Sequence, residues 1–241
     1  MITQPRRLFG EVSHLGGRLL DLLFPARCVN CKQVTGALCA NCLQSIKPVT
    51  PPFCARCGRA LQSTRAACPD CRAHPLTITH IRAAAWHEGA LREAIHALKY
   101  YHRRDTVPPL ANLLTAQLVE TNVAFDLITS VPLHHARQAE RGYNQAELLA
   151  QELANQTHSL YAPALERTRA TEDQIGLDGA ARRVNVQEAF RVTTASLENR
   201  AIVLVDDVCT TGATLDACAQ ALFANGARTV YGLTVARPHA R

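Results

Sequence analysis

Four cysteine pairs with the spacing C-x-x-C lie within residues 28–71, and they limit the possible folds of this part of the chain more than any other feature. A C-x-x-C knuckle points two thiolates at one tetrahedral ion, and two knuckles complete its four ligands. Eight thiolates therefore predict two zinc ions in closed, structural sites with no open position for catalysis. The predicted ligands are Cys28, Cys31, Cys39, Cys42, Cys54, Cys57, Cys68 and Cys71.

The spacing leaves two ways to divide the pairs between the ions. In the simpler one, the first two pairs bind one ion and the last two bind the other; in a cross-braced arrangement, pairs one and three share an ion. Disulfides or redox-active pairs are the alternative chemistry, but a reducing cytosol and four repeated knuckles favour metal. Residues 28–75 contain few large apolar side chains, so we expect this double zinc-ribbon module to need the metal to fold.

Charge is concentrated at the start of the chain. Residues 1–80 carry 10 Lys/Arg and 3 Asp/Glu, a balance of +7, whereas residues 81–241 carry 16 and 17, a balance of −1. The basic third indicates either attraction to polyanions such as nucleic acid or a solvated surface. Only 5% of the residues are aromatic, which argues against an extended base-stacking platform.

The first 27 residues are predicted to form an N-terminal helix. Residues 11–24 have an amphipathic pattern that suits a docking helix or, as an alternative, a membrane-surface anchor. No run approaches the roughly 20 apolar residues that span a bilayer, so we expect no integral membrane segment and a cytoplasmic protein.

Residues 80–241 alternate between apolar runs and amphipathic stretches. Strands are predicted at 81–86, 125–133, 201–205 and 230–236, and the last two lack polar alternation, as in a parallel sheet covered on both faces. Between them lie helical stripes, one of which starts at Asn144 with capping-box spacing to Glu147. This order predicts an α/β, doubly wound, mostly parallel sheet, which binds ligands beyond the carboxyl ends of its strands.

The stretch "AIVLVDDVCTTGAT" (201–214) lies at such an end, between a strand and a helix. Asp206 and Asp207 can accept hydrogen bonds from the hydroxyls of a pentose. The turn that follows offers backbone amides, threonine hydroxyls and a helix N-terminus, which suit a terminal phosphate. A ribose 5-phosphate satisfies both halves. An acidic turn that merely caps a helix would explain neither the acid pair nor the threonines.

This stretch resembles the phosphoribosyl pyrophosphate (PRPP) signature of type I phosphoribosyltransferases. The resemblance implies that Asp206 and Asp207 bind the ribose hydroxyls and that the loop holds the 5′-phosphate. The thiol of Cys209 is interpreted as packing, because no neighbouring base would activate it, and Cys218 as core. The loop residues implied in PRPP binding are Cys209, Thr210, Thr211, Gly212, Ala213 and Thr214.

Together with the cysteine pairs, "LLFPARCVNC", "AIHALKYYHRR", "SVPLHHARQAERGYNQAELLA" and "QIGLDGAARRVNVQEAF" resemble the ComF/GntX competence-associated group over nearly the whole chain. The resemblance implies a pyrophosphate-binding loop after strand 125–133 and a mobile hood over residues 167–190. Lys99 could reach a phosphate, but it is more often the kind of residue found at the end of a helix, where its charge favours the helix dipole, and it is assigned to that role. The further residues implied in PRPP binding are Arg137, Arg141, Asn144, Gln174 and Arg182, with Pro132, Leu133 and Gly142 in the same loop.

The same resemblance implies a pentosyl transfer from PRPP with Mg²⁺, in which Asp206 and Asp207 are catalytic beside the developing positive charge. No aromatic slot for an acceptor base is evident, and the acceptor is not indicated. Three functions stay open: a ComF-type protein for uptake or use of external DNA, a nucleobase-salvage phosphoribosyltransferase, and a non-catalytic PRPP sensor. In the first, the basic zinc module would contact single-stranded DNA or a DNA-uptake protein.

Overall fold

The computed structural model describes residues 26–63, 67–168, 189–194 and 196–239. Of the predicted N-terminal helix, all but residues 26–27 lie outside them. The helices are α1 (Ala40–Gln44), α2 (Pro69–Ala73), α3 (Gly89–Tyr100), α4 (Val107–Thr121), α5 (His135–Arg141), α6 (Gln145–Thr157) and α7 (Ala213–Ala224). The strands are β1 (His80–Trp86), β2 (Leu127–Ser130), β3 (Leu165–Arg167), β4 (Phe190–Val192), β5 (Ala201–Val208) and β6 (Thr229–Arg237).

The central sheet has the strand order β1-β6-β5-β2, and all its neighbours are parallel. Strands β3 and β4 form a separate antiparallel pair. Val203 and Val205 of β5 pack with α3, α4 and α6, whereas Ile202 and Leu204 pack with α7 on the opposite face. Coverage on both faces explains why the central strands are continuously apolar. The predicted doubly wound α/β class is confirmed.

The connections diverge between two neighbouring strands. The chain leaves β2 towards α6 on one face of the sheet and leaves β5 through α7 on the other. In open α/β sheets, this divergence opens a crevice at the carboxyl ends of the two strands. Strand β2 is shorter than the predicted 125–133: the Val131 amide still donates to Val205 (2.9 Å), but Pro132 has no N–H with which to continue the ladder.

The cysteine-rich module lies against the outer edge of the sheet. Pro48 bridges Ala85 in antiparallel fashion, the Trp86 amide donates to the Lys47 carbonyl (2.9 Å), and the Val49 amide donates to Ala84 (3.1 Å). Residues 47–49 therefore cover the edge of β1 that does not pair with β6. None of the helices in the described ranges is both long enough and apolar enough to cross a bilayer.

Candidate functional site

The eight paired cysteines form two four-sulfur clusters. The ligand atoms of each cluster lie within 4.8 Å of one another. The Sγ atoms of Cys31 and Cys39 are 3.6 Å apart, and those of Cys57 and Cys68 are 3.7 Å apart. Tetrahedral zinc with bonds of about 2.3 Å requires about 3.8 Å between sulfurs. The consecutive partition is therefore correct, and the cross-braced alternative is wrong. The thiols are free, so the pairs are not disulfides.

Backbone amides point at the sulfurs in the same way in both clusters. The amide of Cys39 donates to Cys28 Sγ (3.5 Å), and that of Cys68 donates to Cys54 Sγ (3.3 Å). Such bonds favour the thiolate over the thiol, which a zinc ligand must become. The first cluster consists of Cys28, Cys31, Cys39 and Cys42, and the second of Cys54, Cys57, Cys68 and Cys71. Both are structural zinc sites.

At the carboxyl end of β5, two neighbouring acids meet a lysine. Asp207 is 4% exposed, and its Oδ2 lies 2.7 Å from Nζ of Lys99, near the end of α3. Asp206 is half-buried, and its Oδ1 accepts a hydrogen bond from the Asp207 amide (2.8 Å). The charge of Asp207 is thus compensated inside the fold by Lys99.

The charges of this cluster are coupled. Burial, and then the charge of Asp207, raise the pKa of Asp206 to about 7, although Lys99 acts in the opposite direction. Burial also disfavours the charge of Lys99, but attraction to Asp207 and Asp206 outweighs it and raises the pKa of Lys99 above its usual value. The lysine therefore stays charged at neutral pH, whereas Asp206 exchanges its proton near neutrality.

The loop between β5 and α7 is shaped as a cradle. Gly212 has φ +87°, so the turn favours glycine, and a Cβ there would also lie 2.8 Å from Cδ1 of Ile81, which would have to move. The Thr211 hydroxyl accepts from the Ala213 amide (3.3 Å) at the start of the 12-residue helix α7. Thr210 is exposed, and Thr214 is half-buried. Amides and hydroxyls at a helix N-terminus suit an anion.

Cys209 anchors the loop to the sheet. Its amide donates to the Ala236 carbonyl of β6 (2.9 Å), and its side chain is 3% exposed. Burial raises the pKa of its thiol to about 11, so the sulfur is neutral at physiological pH. Cys218 is fully buried on α7. The interpretation of both thiols as packing groups fits this geometry.

A second loop follows β2 and faces the same crevice. Asn144 begins α6: its Oδ1 accepts from the Ala146 amide (3.0 Å), and its Nδ2 donates to the Val131 carbonyl (2.9 Å). This side chain ties the start of α6 to the end of β2. Arg137 is exposed on α5, and Arg141 is half-buried and donates to Gln145 Oε1 (2.6 Å).

Comparison with known proteins identifies relatives along most of the chain. The double zinc ribbon domain family matches residues 19–72. DNA utilization protein YhgH of Escherichia coli O157:H7 is 32% identical over 219 residues, which cover 87% of this chain and 96% of that protein. Competence protein F of Haemophilus influenzae is 32% identical over 208 residues, which cover 80% and 89%. The chain belongs to the YhgH/competence protein F family. The resemblance to the competence-associated group is confirmed.

Solved structures give weaker similarity. The glutamine PRPP amidotransferase of B. subtilis has a TM-score of 0.39 at 22% identity, covering 54% of this chain and 26% of that one. A purine phosphoribosyltransferase of Pyrococcus horikoshii has a TM-score of 0.34 at 17% identity, covering 54% and 72%. The fold class therefore rests on the strand order and on the two covered sheet faces.

In this family member, most of the predicted site residues lie at the carboxyl ends of two neighbouring strands, β2 and β5. Asp206 and Asp207 lie in the last part of β5 and residues 209–214 follow it, whereas Arg137, Arg141 and Asn144 follow the neighbouring β2. Gln174 and Arg182 lie outside the described residues. Strands β3 and β4 bring residues 167 and 190 together, so the two ends of the predicted hood meet.

Lys99 is the site residue that sequence reasoning missed. Its assignment to the helix dipole is incomplete, because its ammonium pairs with Asp207, 108 positions later in the chain. Lys99 follows the buried Ile95 by four positions, on the apolar side of α3. The sequence did contain a signal for this burial: Lys99 is in register with an apolar stripe, and a side chain on that side of a helix is directed into the protein.

Proposed function

We propose that this protein binds PRPP in the crevice between β2 and β5. The observation that supports this most strongly is the juxtaposition of an ionisable acid pair and an amide-rich cradle at the end of a single strand. Asp206 and Asp207 would accept hydrogen bonds from the ribose hydroxyls. The amides and hydroxyls of residues 210–214 would hold the 5′-phosphate.

The β2 side of the crevice would take the pyrophosphate. Arg137 and Arg141 lie in the loop after β2 and would neutralise it, while Asn144 fixes the loop through Val131. Gln174 and Arg182 would contact PRPP from the segment between β3 and β4. Mg²⁺ suits this donor set, because it prefers one or two carboxylates together with phosphate oxygens, and it would offset the pyrophosphate charge. The chain's own part is positioning and charge stabilisation.

We place this activity in the use of external DNA, in line with the names of the relatives, DNA utilization protein and competence protein. The basic first third of the chain would contact single-stranded DNA or a DNA-uptake protein. Zinc thiolates favour a reducing compartment, so we assign the protein to the cytoplasm. Residues 28–75 and 80–241 would be its two functional units.

The test is calorimetric titration of the zinc-loaded full chain with PRPP and Mg²⁺. Asp206→Asn combined with Asp207→Asn removes two charge-assisted contacts and should weaken PRPP binding by about 100-fold or more. Asp126→Asn is the matched control: Asp126 bonds the Ala201 amide at the opposite end of β5 and should leave affinity unchanged. Equal PRPP affinity in the double variant and the wild type would refute the assigned site.

A pyrophosphate-release screen then separates the reaction types. Release on addition of one particular base would indicate nucleobase salvage, and PRPP binding without turnover would indicate a sensor. Salt-dependent binding of single-stranded DNA would support the DNA-handling role. The same titration without Mg²⁺ measures how much of the PRPP affinity depends on the metal.

A further inference from the structure

Arg237, the last residue of β6, joins the second zinc cluster to the phosphate cradle. Its side chain is 3% exposed. One guanidinium nitrogen, Nη1, donates to the carbonyl of Cys57, a ligand of the second cluster, at 2.6 Å. The other, Nη2, donates to the carbonyl of Thr210 in the cradle at 3.4 Å. One planar fork therefore connects the backbone of a zinc knuckle with the backbone of the loop.

We propose that Arg237 is a positioning residue through which zinc in the second cluster sets the geometry of the phosphate cradle. This proposal rests on PRPP binding as proposed above. It predicts that the affinity for the phosphate end of PRPP depends on the second zinc and that the first zinc has no comparable effect.

Close packing makes the link stiff. A Cβ on Gly58, next to Cys57, would lie 2.5 Å from the Ile81 carbonyl and 3.2 Å from Arg237 Nη1. A Cβ on Gly212 in the cradle would lie 2.8 Å from Cδ1 of the same Ile81. Ile81 is thus held between the knuckle and the cradle, and its amide donates to the Arg56 carbonyl (2.7 Å). A knuckle that moves cannot leave the cradle unchanged, because close-packed groups transmit displacement.

Charge acts in the same direction. Four thiolates around one Zn²⁺ leave two negative charges in excess, and a buried guanidinium requires a compensating charge or full hydrogen bonding. The zinc-bound cluster supplies such a charge close to Arg237, whose guanidinium is hydrogen-bonded to the carbonyls of Cys57 and Thr210.

The first cluster is attached differently. Arg103 donates to the Arg27 carbonyl beside Cys28 (2.9 Å) and pairs with Asp105. Arg103 thus bonds a backbone carbonyl of the first zinc ribbon, as Arg237 does in the second, but no bond from Arg103 to the cradle is found among the described residues. Arg82 donates to the Ala55 carbonyl in the second ribbon (3.1 Å) and to its neighbour Ile81. Arg82 therefore serves as the matched control for ribbon docking alone.

Binding linkage supplies a test that needs no variant. If zinc strengthens PRPP binding, PRPP must strengthen zinc binding by the same factor, typically about 5-fold or more. We expect this gain in affinity to be measured as slower zinc release, because affinity differences between related complexes lie mostly in the dissociation rate. The zinc-loaded full chain is mixed with a zinc-selective chromogenic chelator, with and without saturating PRPP and Mg²⁺. We expect PRPP to slow release of one of the two zinc ions by about 5-fold and to leave the other unchanged. Cys31→Ser, which weakens the first cluster, should leave the slowed phase intact.

Arg237→Lys keeps the positive charge but lacks the planar fork that joins the two carbonyls. In this variant, PRPP should slow zinc release by less than about 2-fold, and PRPP binding should be weaker by about 5-fold. Arg82→Lys should keep both effects. Wild-type protein that binds PRPP while both zinc ions leave at unchanged rates would overturn the inference and leave the proposed function standing. Wild-type protein without PRPP affinity would overturn both.

Discussion

The two halves of the candidate site are held by different means. The first half, which we propose binds ribose and call the ribose half, consists of Asp206 and Asp207 and depends on charge, because Lys99 reaches across from α3 to a buried carboxylate. The second, which we propose binds phosphate and call the phosphate half, is residues 209–214 and depends on backbone geometry: a left-handed glycine, a helix start and the Thr210 carbonyl bonded to Arg237. The first half should therefore respond to charge and pH, and the second to changes in shape.

The two zinc clusters also differ in how they attach to the α/β domain. The first cluster belongs to the main apolar core, where Cys28 and Cys39 pack with the helices that include α3, the source of Lys99. The second cluster forms a small core of its own with Leu61 and Leu76 and reaches the cradle through hydrogen bonds. The same C-x-x-C chemistry thus supports core packing in one place and a binding loop in the other.

The largest effect is expected from the charge-held half. Lys99→Met leaves the carboxylate of Asp207 buried without its partner and should lower the free energy of unfolding by about 3 kcal/mol. Lys99→Arg keeps the charge and should recover most of that loss. Urea denaturation of the three proteins measures the difference, and equal midpoints for wild type and Lys99→Met would show that the pair contributes nothing to the fold.

A smaller effect is expected from shape in the phosphate half. Gly212→Ala combines an unfavourable φ with a contact of 2.8 Å to Ile81, so it should cost about 2 kcal/mol and weaken PRPP binding. Gly89→Ala is the matched control, because Gly89 also has a positive φ (+49°) but open space around its Cβ. Similar losses in the two variants would mean that strain alone, without the close approach, decides the effect.

The smallest effect is a pH dependence confined to the ribose half. A carboxyl with a folded-state pKa raised to about 7 binds more protons folded than unfolded, so its charge destabilises the fold as the pH rises from about 4 to 7. Asp206→Asn should therefore raise the free energy of unfolding by about 1 kcal/mol at pH 8, with little change at pH 4. Thermal melts at both values test this, and equal shifts at the two pH values would contradict it.

Local patterns made much of this fold predictable. The cysteine spacing gave both clusters, because each ribbon is closed by residues near one another in sequence. Helix α7 ends at Ala224, before Gly226 with φ +92°, and glycine with a left-handed backbone is a common helix stop that can be read from sequence. Asn144 caps α6 as expected, but Glu147 Oε1 accepts from Tyr161 Oη (3.4 Å) and Gln151 Nε2 (3.4 Å), which shows that a spacing alone does not settle a side chain's partner.

The long-range contacts were not predictable. Two examples are the Lys99–Asp207 pair and the bond of Arg237 to Cys57, 180 positions apart in the chain. Both depend on how β1, β5 and β6 pair in the sheet and on where the zinc ribbons dock. Apolar periodicity identifies each element but says nothing about which polar ends then meet. For the same reason, a lysine near a helix end fitted a dipole assignment until the tertiary fold placed a carboxylate beside it.

Residues 47–49 have a consequence for any shortened form of the protein. They occupy the outer edge of β1, where an unpaired strand would otherwise offer its amides and carbonyls to another molecule. Removal of the cysteine-rich segment would expose that edge and favour intermolecular strand pairing and aggregation. The segment thus also protects the edge of β1, and an isolated α/β portion would need another group to cover that edge.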